Sequence, residues 1–253
     1  MASRAERLTR RQQRLAEKGL EKQLSKFPTI GQLNFELRKV NPITENQLRT
    51  FEHYYDDQNI FLEGCAGTGK TYISMYLALQ SIEDKRSPYR KLVIVRTAQP
   101  TKQIGHLPGD EKQKGSVYEL PYKSICSDLY HRDDAYEVLK NKGVIDFALT
   151  SFMRGTTIDN AIVIVDEVQN MVETEWFTVL SRIGQNTRLI ICGDSRQDDI
   201  TSERFHEKSG MQILKRVLTH MEQSIKVVTF QTDDIVRSGF VKDLITTMYK
   251  LGI

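Results

Sequence analysis

The sequence predicts an α/β chain, a doubly wound and mainly parallel sheet that carries an inserted subdomain. Three observations predict it. Short apolar runs recur as "NIFL" at 59–62, "KLVIVR" at 91–96, "AIVIVDE" at 161–167, "RLIICGD" at 188–194 and "IKVVTF" at 225–230. They are continuous and largely β-branched rather than alternating, the pattern of strands covered on both faces of a parallel sheet. Helical stretches separate them, as in a layered α/β domain. A glycine-rich turn joins the first strand to the helix that follows it.

In chain order, residues 4–26 hold good helix formers, but Leu8, Leu15, Leu20 and Leu24 make only a thin apolar stripe. A loosely docked helix is expected there. Pro28 to Pro42 reads as a linker. "TENQLRTFEHYY" then sets Thr44 as N-cap with Gln47 at the third helical position, and its helix runs to about Tyr55. After the first strand and the glycine turn, a helix from about Lys70 to Ile82 is apolar almost all round and is therefore buried. Further helices are expected at about 174–181, 211–223 and 239–249. In the last, Phe240/Val241, Leu244/Ile245 and Met248/Tyr249 recur at four-residue spacing, which predicts a helix packed on the sheet. Residues 97–160 separate two core strands by 64 positions, far more than a crossover of about a dozen, and predict the inserted subdomain on the sheet's carboxyl edge. The organisation expected is a basic arm and linker over 1–43 and one domain over 44–253.

Composition narrows the class. Hydrophobic content of 39%, charged content of 27% and a mean hydropathy of −0.44 are those of a soluble protein. No apolar run approaches the roughly 18 to 20 residues that span a bilayer, and the amino terminus lacks a signal peptide's apolar core, so no membrane role and a cytoplasmic site of action are expected. Cys65, Cys126 and Cys192 are far apart and lack metal-site spacing, which predicts reduced thiols. His53, His106, His131, His206 and His220 show no metal-ligand spacing either. The net charge of +3 is uneven, because residues 1–26 alone carry +5. That arm suits nucleic acid, and equally a solvated segment serving solubility or subunit contact.

Gly64-Cys65-Ala66-Gly67-Thr68-Gly69-Lys70-Thr71 satisfies GxxxxGK[ST] between a strand and a helix. Loop amides curl around phosphate oxygens, Lys70 reaches the β and γ phosphates, and the Thr71 hydroxyl ligates Mg²⁺. In "AIVIVDEVQN" the apolar run delivers Asp166 and Glu167 to a strand's carboxyl end. There Asp166 can hold Mg²⁺ through water and Glu167 can orient or deprotonate the attacking water. In "IICGDSRQDD", Asp194 and Gln197 can both face the γ phosphate, with Gln197 sensing whether it is present; Asp194 could instead be a helix cap.

With these elements in place, the chain resembles the PhoH-like proteins, P-loop ATPases related to the core of superfamily 1 helicases. "TENQLRTFEHY" resembles the family's amino-terminal glutamine motif, which implies that Gln47 reads the adenine edge. "VRTAQP" with "IGHLPGDEKQK", "SFMRGTTIDNAIVIVDEVQN" and "TFQTDDIVRSGFVKDLI" resemble its later segments, so the likeness covers roughly 44–250. It implies a RecA-like P-loop NTPase core, ATP and Mg²⁺ as cofactors, and single-stranded RNA, or less readily DNA, as partner. Cys65 stands where members usually have proline, and Thr157 where they have arginine. Nuclease activity, carried by an added domain in some members, is not expected in this chain. The short form resembles versions carried by bacteriophages, which would make host cytoplasm its setting.

Phosphoryl transfer also calls for an arginine at the γ phosphate. A neighbouring copy in a ring, a hexamer among the options, or in a stacked homo-oligomer is expected to supply it, with Arg237 first and Arg154 and Arg196 next. The plainer alternative for Arg237 is a salt bridge to Asp233 or Asp234. Arg96 and Arg154 are nucleic-acid candidates. Between them, Tyr118, Tyr122, Tyr130, Tyr136, Phe147 and Phe152 alternate with basic residues, a composition that fits stacked bases and equally a small core. Trp176 is expected to anchor its helix in the core. Besides the RNA-coupled ATPase, a nucleotide-gated binding or scaffold protein stays open. A small-molecule kinase would leave the Asp166-Glu167 pair and Gln197 without a role.

Overall fold

The computed structural model describes residues 35–98, 111–153, 155, 157–194 and 210–251, without the side chains of 111–115. The basic arm, the LPGD stretch, Arg154, Arg196 and Gln197 lie outside the described residues.

Six strands form one sheet in the order β3-β2-β4-β5-β1-β6: β1 (Asn59–Gly64), β2 (Lys91–Arg96), β3 (Ile145–Leu149), β4 (Ala161–Val165), β5 (Arg188–Gly193) and β6 (Ile225–Phe230). Every neighbouring pair is parallel. The helices are α1 (Glu45–Tyr55), α2 (Lys70–Glu83), α3 (Glu111–Tyr130), α4 (Ala135–Asn141), α5 (Glu173–Leu180), α6 (Met211–Thr219) and α7 (Gly239–Leu251). The Thr44 hydroxyl accepts from the Gln47 amide and caps α1 as its spacing predicts.

Alternating side chains explain why the strand runs are continuously apolar. Ile60 and Leu62 belong to the core under α1–α4, while Phe61 between them belongs to the opposite core with Trp176 of α5 and Leu214 of α6. All three strand residues are fully buried, and each such side chain contributes about 1.5–3 kcal/mol. The domain is thus doubly wound, as expected. No helix among the described residues is long and apolar enough to cross a membrane.

Two expectations change. Part of the interval expected as an inserted subdomain is main-sheet structure: β3 pairs with β2 from Leu92↔Ile145 to Arg96↔Leu149. Tyr122, Cys126, Tyr136 and Leu139 from α3 and α4 sit in the same core as α2. The strand was hidden because "IDFAL" is an edge strand whose apolar run Asp146 interrupts, and Asp146 is exposed. Helix α7 does not pack on the sheet: none of its residues is fully buried. Its apolar stripe is divided, with Val241, Ile245 and Tyr249 half-buried and Phe240, Leu244 and Met248 exposed; Ile245 and Tyr249 face the glycine loop.

Candidate functional site

Strand β5 lies between β4 and β1, so the ends of three adjacent strands bring the glycine loop, the acidic pair and Asp194 to one edge of the sheet. The turn needs its glycines. Gly64, Gly67 and Gly69 have φ of +117°, +74° and +85°, and a side chain on Gly64 would lie 2.1 Å from the Phe230 carbonyl oxygen of β6. Lys70 Nζ donates to the Gly64 and Cys65 carbonyls, both at 2.7 Å, and Thr68 Oγ1 donates to the Cys65 carbonyl at 2.9 Å. The lysine ammonium is therefore held at the loop by two carbonyls, which phosphate oxygens could replace.

Thr71 Oγ1 donates to Asp166 Oδ1 at 3.0 Å, across a sequence separation of 95. These converging oxygens fit a hard cation such as Mg²⁺. Glu167 follows with φ +54°, the left-handed region that costs a non-glycine residue about 1–3 kcal/mol and concentrates at functional sites. Burial, then the Asp166 charge, raise its pKa above the ordinary carboxylate value, opposed by Arg96, Gln169 and Lys70. A raised value suits a group that must take a proton.

Gln169, which motif reading left without a role, links two strand ends. Its Nε2 donates to Glu167 Oε2 at 2.5 Å, and its Oε1 accepts from the Asp194 amide at 3.0 Å. The Asp194 carboxylate faces Tyr249 of α7, whose hydroxyl lies 3.1 Å from both of its oxygens. Cys65 also meets Tyr249 by hydrogen bond, which ties the loop to α7. Burial raises the Cys65 thiol above its ordinary value.

A cavity of about 530 Å³ is lined by Ala66, Gly67, Gly69, Lys70, Thr71, Arg96, Asp166, Glu167, Gln169, Asp194 and Arg237, among others. Arg237 thus lies beside its own chain's loop, and a Cβ on Gly67 would meet its side chain at 2.9 Å. No neighbouring copy is needed to bring it there. The alternative salt-bridge partner Asp234 accepts instead from Asn46 Nδ2 and the Gln231 amide. Arg96, expected at a nucleic-acid surface, opens on this same cavity, with its guanidinium 5.8 Å from the Tyr118 ring centroid.

Gln47 is buried, and both ends of its amide are engaged: Oε1 accepts from the Ile43 amide and Nε2 donates to the Thr68 carbonyl, each at 3.0 Å. In this geometry it braces the loop. It also lines an adjoining cavity of about 290 Å³ with Val40, Ile43, Tyr72, Val236 and Arg237. Of the six aromatics grouped as a stacking surface, Tyr122, Tyr130 and Tyr136 are core residues, while Phe152 is 57% exposed. The three cysteines are free and buried. Among the described residues no group of three or more His, Cys, Asp and Glu side chains could hold a metal ion.

A family model described as "PhoH-like protein" matches residues 39–250. A PhoH-like protein of Bacillus subtilis is 33% identical over 187 residues, 74% of this chain and 56% of the relative. Protein PhoH of Escherichia coli K12 is 28% identical over 255 residues, 93% of this chain and 68% of the relative. The chain thus spans little more than half the length of the Bacillus relative. Among solved structures, the Sulfolobus solfataricus SWI2/SNF2 ATPase core in complex with dsDNA aligns over 77% of this chain and 47% of that one, at 14% identity and a TM-score of 0.42.

Proposed function

The chain belongs to the PhoH-like protein family, and on that premise we propose that it hydrolyses ATP with Mg²⁺ and couples hydrolysis to translocation on, unwinding or remodelling of single-stranded RNA. One observation carries the ATPase half: Lys70, Thr71, Asp166 and Glu167 line a single cavity with Arg96 and Arg237. The loop amides and Lys70 bind the β and γ phosphates, Lys70 exchanging its two carbonyl partners for phosphate oxygens. Thr71 and Asp166 would hold Mg²⁺, which when bound neutralises charge between the β and γ oxygens. Glu167 accepts the proton of the attacking water, and Arg237 offsets the negative charge that builds on the γ oxygens. The cavity beside Gln47 is open to the nucleoside. In this reading Gln197, outside the described residues, would sense the γ phosphate.

The RNA half rests on family membership and on the basic arm. It is tested by ATPase rates with and without single-stranded RNA, for wild type and Glu167→Gln, with mass measured by light scattering to give the homo-oligomer's size. RNA should raise the wild-type rate, and Glu167→Gln should lower it by about 10² to 10⁴ while still binding ATP. Turnover indifferent to RNA and DNA of every length would sink the motor.

A second reading, a nucleotide-gated binding protein, is favoured by the interior position of Tyr122, Tyr130 and Tyr136, which removes half of the stacking surface. It predicts slow turnover, partner capture by Glu167→Gln and no strand separation.

A further inference from the structure

Helix α3 reaches the acidic pair from outside every motif. Tyr122, fully buried, donates its hydroxyl to Asp166 Oδ2 at 2.8 Å. The other carboxylate oxygen, Oδ1, is the one that meets Thr71. The Tyr122 ring packs against Phe147 of β3, centroid to centroid 5.9 Å, so core packing fixes where the hydroxyl points. One turn earlier on the same helix, Tyr118 underlies Arg96, the cation that opposes the rise in the Glu167 pKa. The α3 face therefore touches Asp166 directly and reaches Glu167 only by way of Arg96.

A carboxylate turns readily about its terminal torsion, which is broad and two-fold. A metal ligand of this kind is held in orientation by hydrogen bonds from partners behind it. We infer that Tyr122 is a positioning residue for the Asp166 carboxylate: its hydroxyl secures Oδ2 so that Oδ1 stays turned toward Thr71, where Mg²⁺ would be held. The inference rests on the Mg–ATP reading above. It assigns α3 a part in the ATP site that no motif reveals, because the contact joins residues 44 positions apart.

The test is Mg²⁺ titration of the binding of a fluorescent, non-hydrolysable ATP analogue, with EDTA as the zero point. Tyr122→Phe keeps the ring and loses only the donor. Its half-saturating Mg²⁺ should rise about 10- to 100-fold, the usual effect of removing a metal ligand's supporting hydrogen bond, while affinity in EDTA stays as in wild type. Tyr136→Phe is the control, since it removes a buried hydroxyl bonded to Glu119 at 2.7 Å and should leave the Mg²⁺ response unchanged. In an Asp166→Asn background, Tyr122→Phe should add no further loss. Thermal melts check folding, and Tyr122→Met, also without a donor, replaces Tyr122→Phe if that variant does not fold. A Tyr122→Phe response within about twofold of wild type, well short of the expected range, overturns the inference, as does an equal shift in Tyr136→Phe. A wild type whose nucleotide binding ignores Mg²⁺ overturns the Mg–ATP reading and the inference with it.

Discussion

Gln169 joins Glu167 to β5: one end of its amide donates to the Glu167 carboxylate at 2.5 Å and the other accepts the Asp194 backbone amide at 3.0 Å. The Glu167 carboxylate thereby has one defined position relative to the end of β5. Gln169→Met keeps the volume and removes both bonds. It should lower kcat about tenfold with KM for ATP little changed, the signature of an interaction needed in the transition state and worth about 1.4 kcal/mol. Steady-state ATPase kinetics decide, and a rise in KM at constant kcat would reassign Gln169 to nucleotide binding.

Glu167 should also cost the fold stability at neutral pH. Burial raises its pKa in the folded state, so the folded chain holds that proton more tightly than the unfolded chain does. Stability from this group is then present below the unfolded carboxylate value of about 4.3 and is lost as pH rises through the folded value. Glu167→Gln, which carries no charge, should be more stable than wild type at neutral pH, with the gap closing in acid. Denaturant midpoints at the two pH values measure it; a gap that does not change with pH means that another effect of the substitution is responsible.

The glycine turn makes a sharper demand on stability. A Cβ at Gly64 would collide with main chain, at φ +117° and 2.1 Å from the Phe230 oxygen. Gly64→Ala should therefore cost about 3 kcal/mol or more, or prevent folding. Gly143 has φ +71° but nothing within 4 Å. There alanine should cost only the left-handed penalty of about 1–2 kcal/mol. Comparable melting temperatures for the two variants would mean that β6 yields to the added methyl group.

How legible these features were depends on how local their causes are. The four central strands, β2, β4, β5 and β1, show in the sequence because burial on both faces forces an unbroken apolar run, the edge strand β6 shows through its β-branched run "IKVVTF", and the loop shows because positive φ forces glycine. Strand β3 does not show, since an edge strand tolerates Asp146 on its open side. Lys70, Thr71, Asp166 and Glu167 are legible because phosphate chemistry constrains residue type and spacing together. Tyr122 and Tyr249 carry no such mark: each meets its carboxylate only through the packing of a distant helix. Gln169 had one signal, its place two residues after Glu167 in "DEVQN".

Arg237 lines its own chain's cavity, and the main chain before it is fastened to the loop, since the Val236 amide donates to the Gly67 carbonyl at 3.0 Å. Its charge should act within one subunit. Arg237→Ala should lower ATP turnover about 10³-fold or more, the effect of losing a γ-phosphate arginine. Mixing Arg237→Ala with Lys70→Ala should restore nothing, because no subunit in the mixture then carries both groups. Recovered activity on mixing would place the arginine across an interface instead.

Helix α7 separates periodicity from burial. Leu244 lies on the apolar stripe that predicted sheet packing, yet it is 49% exposed. A buried leucine cut back to a small side chain costs about 2–5 kcal/mol, whereas a solvent-facing substitution stays within about 0.5 kcal/mol. Leu244→Ser should therefore leave the denaturation midpoint where it is. Ile245, one residue on, packs over the loop, where a Cβ on Gly67 would meet its Cδ1 at 3.6 Å. Ile245→Ser should weaken ATP binding more than it lowers stability, because the contact it removes is to the phosphate loop and not to the core. Isothermal titration with ATP beside denaturant melts separates the two effects, and a large stability loss in Leu244→Ser would show that the outer face of α7 is covered after all.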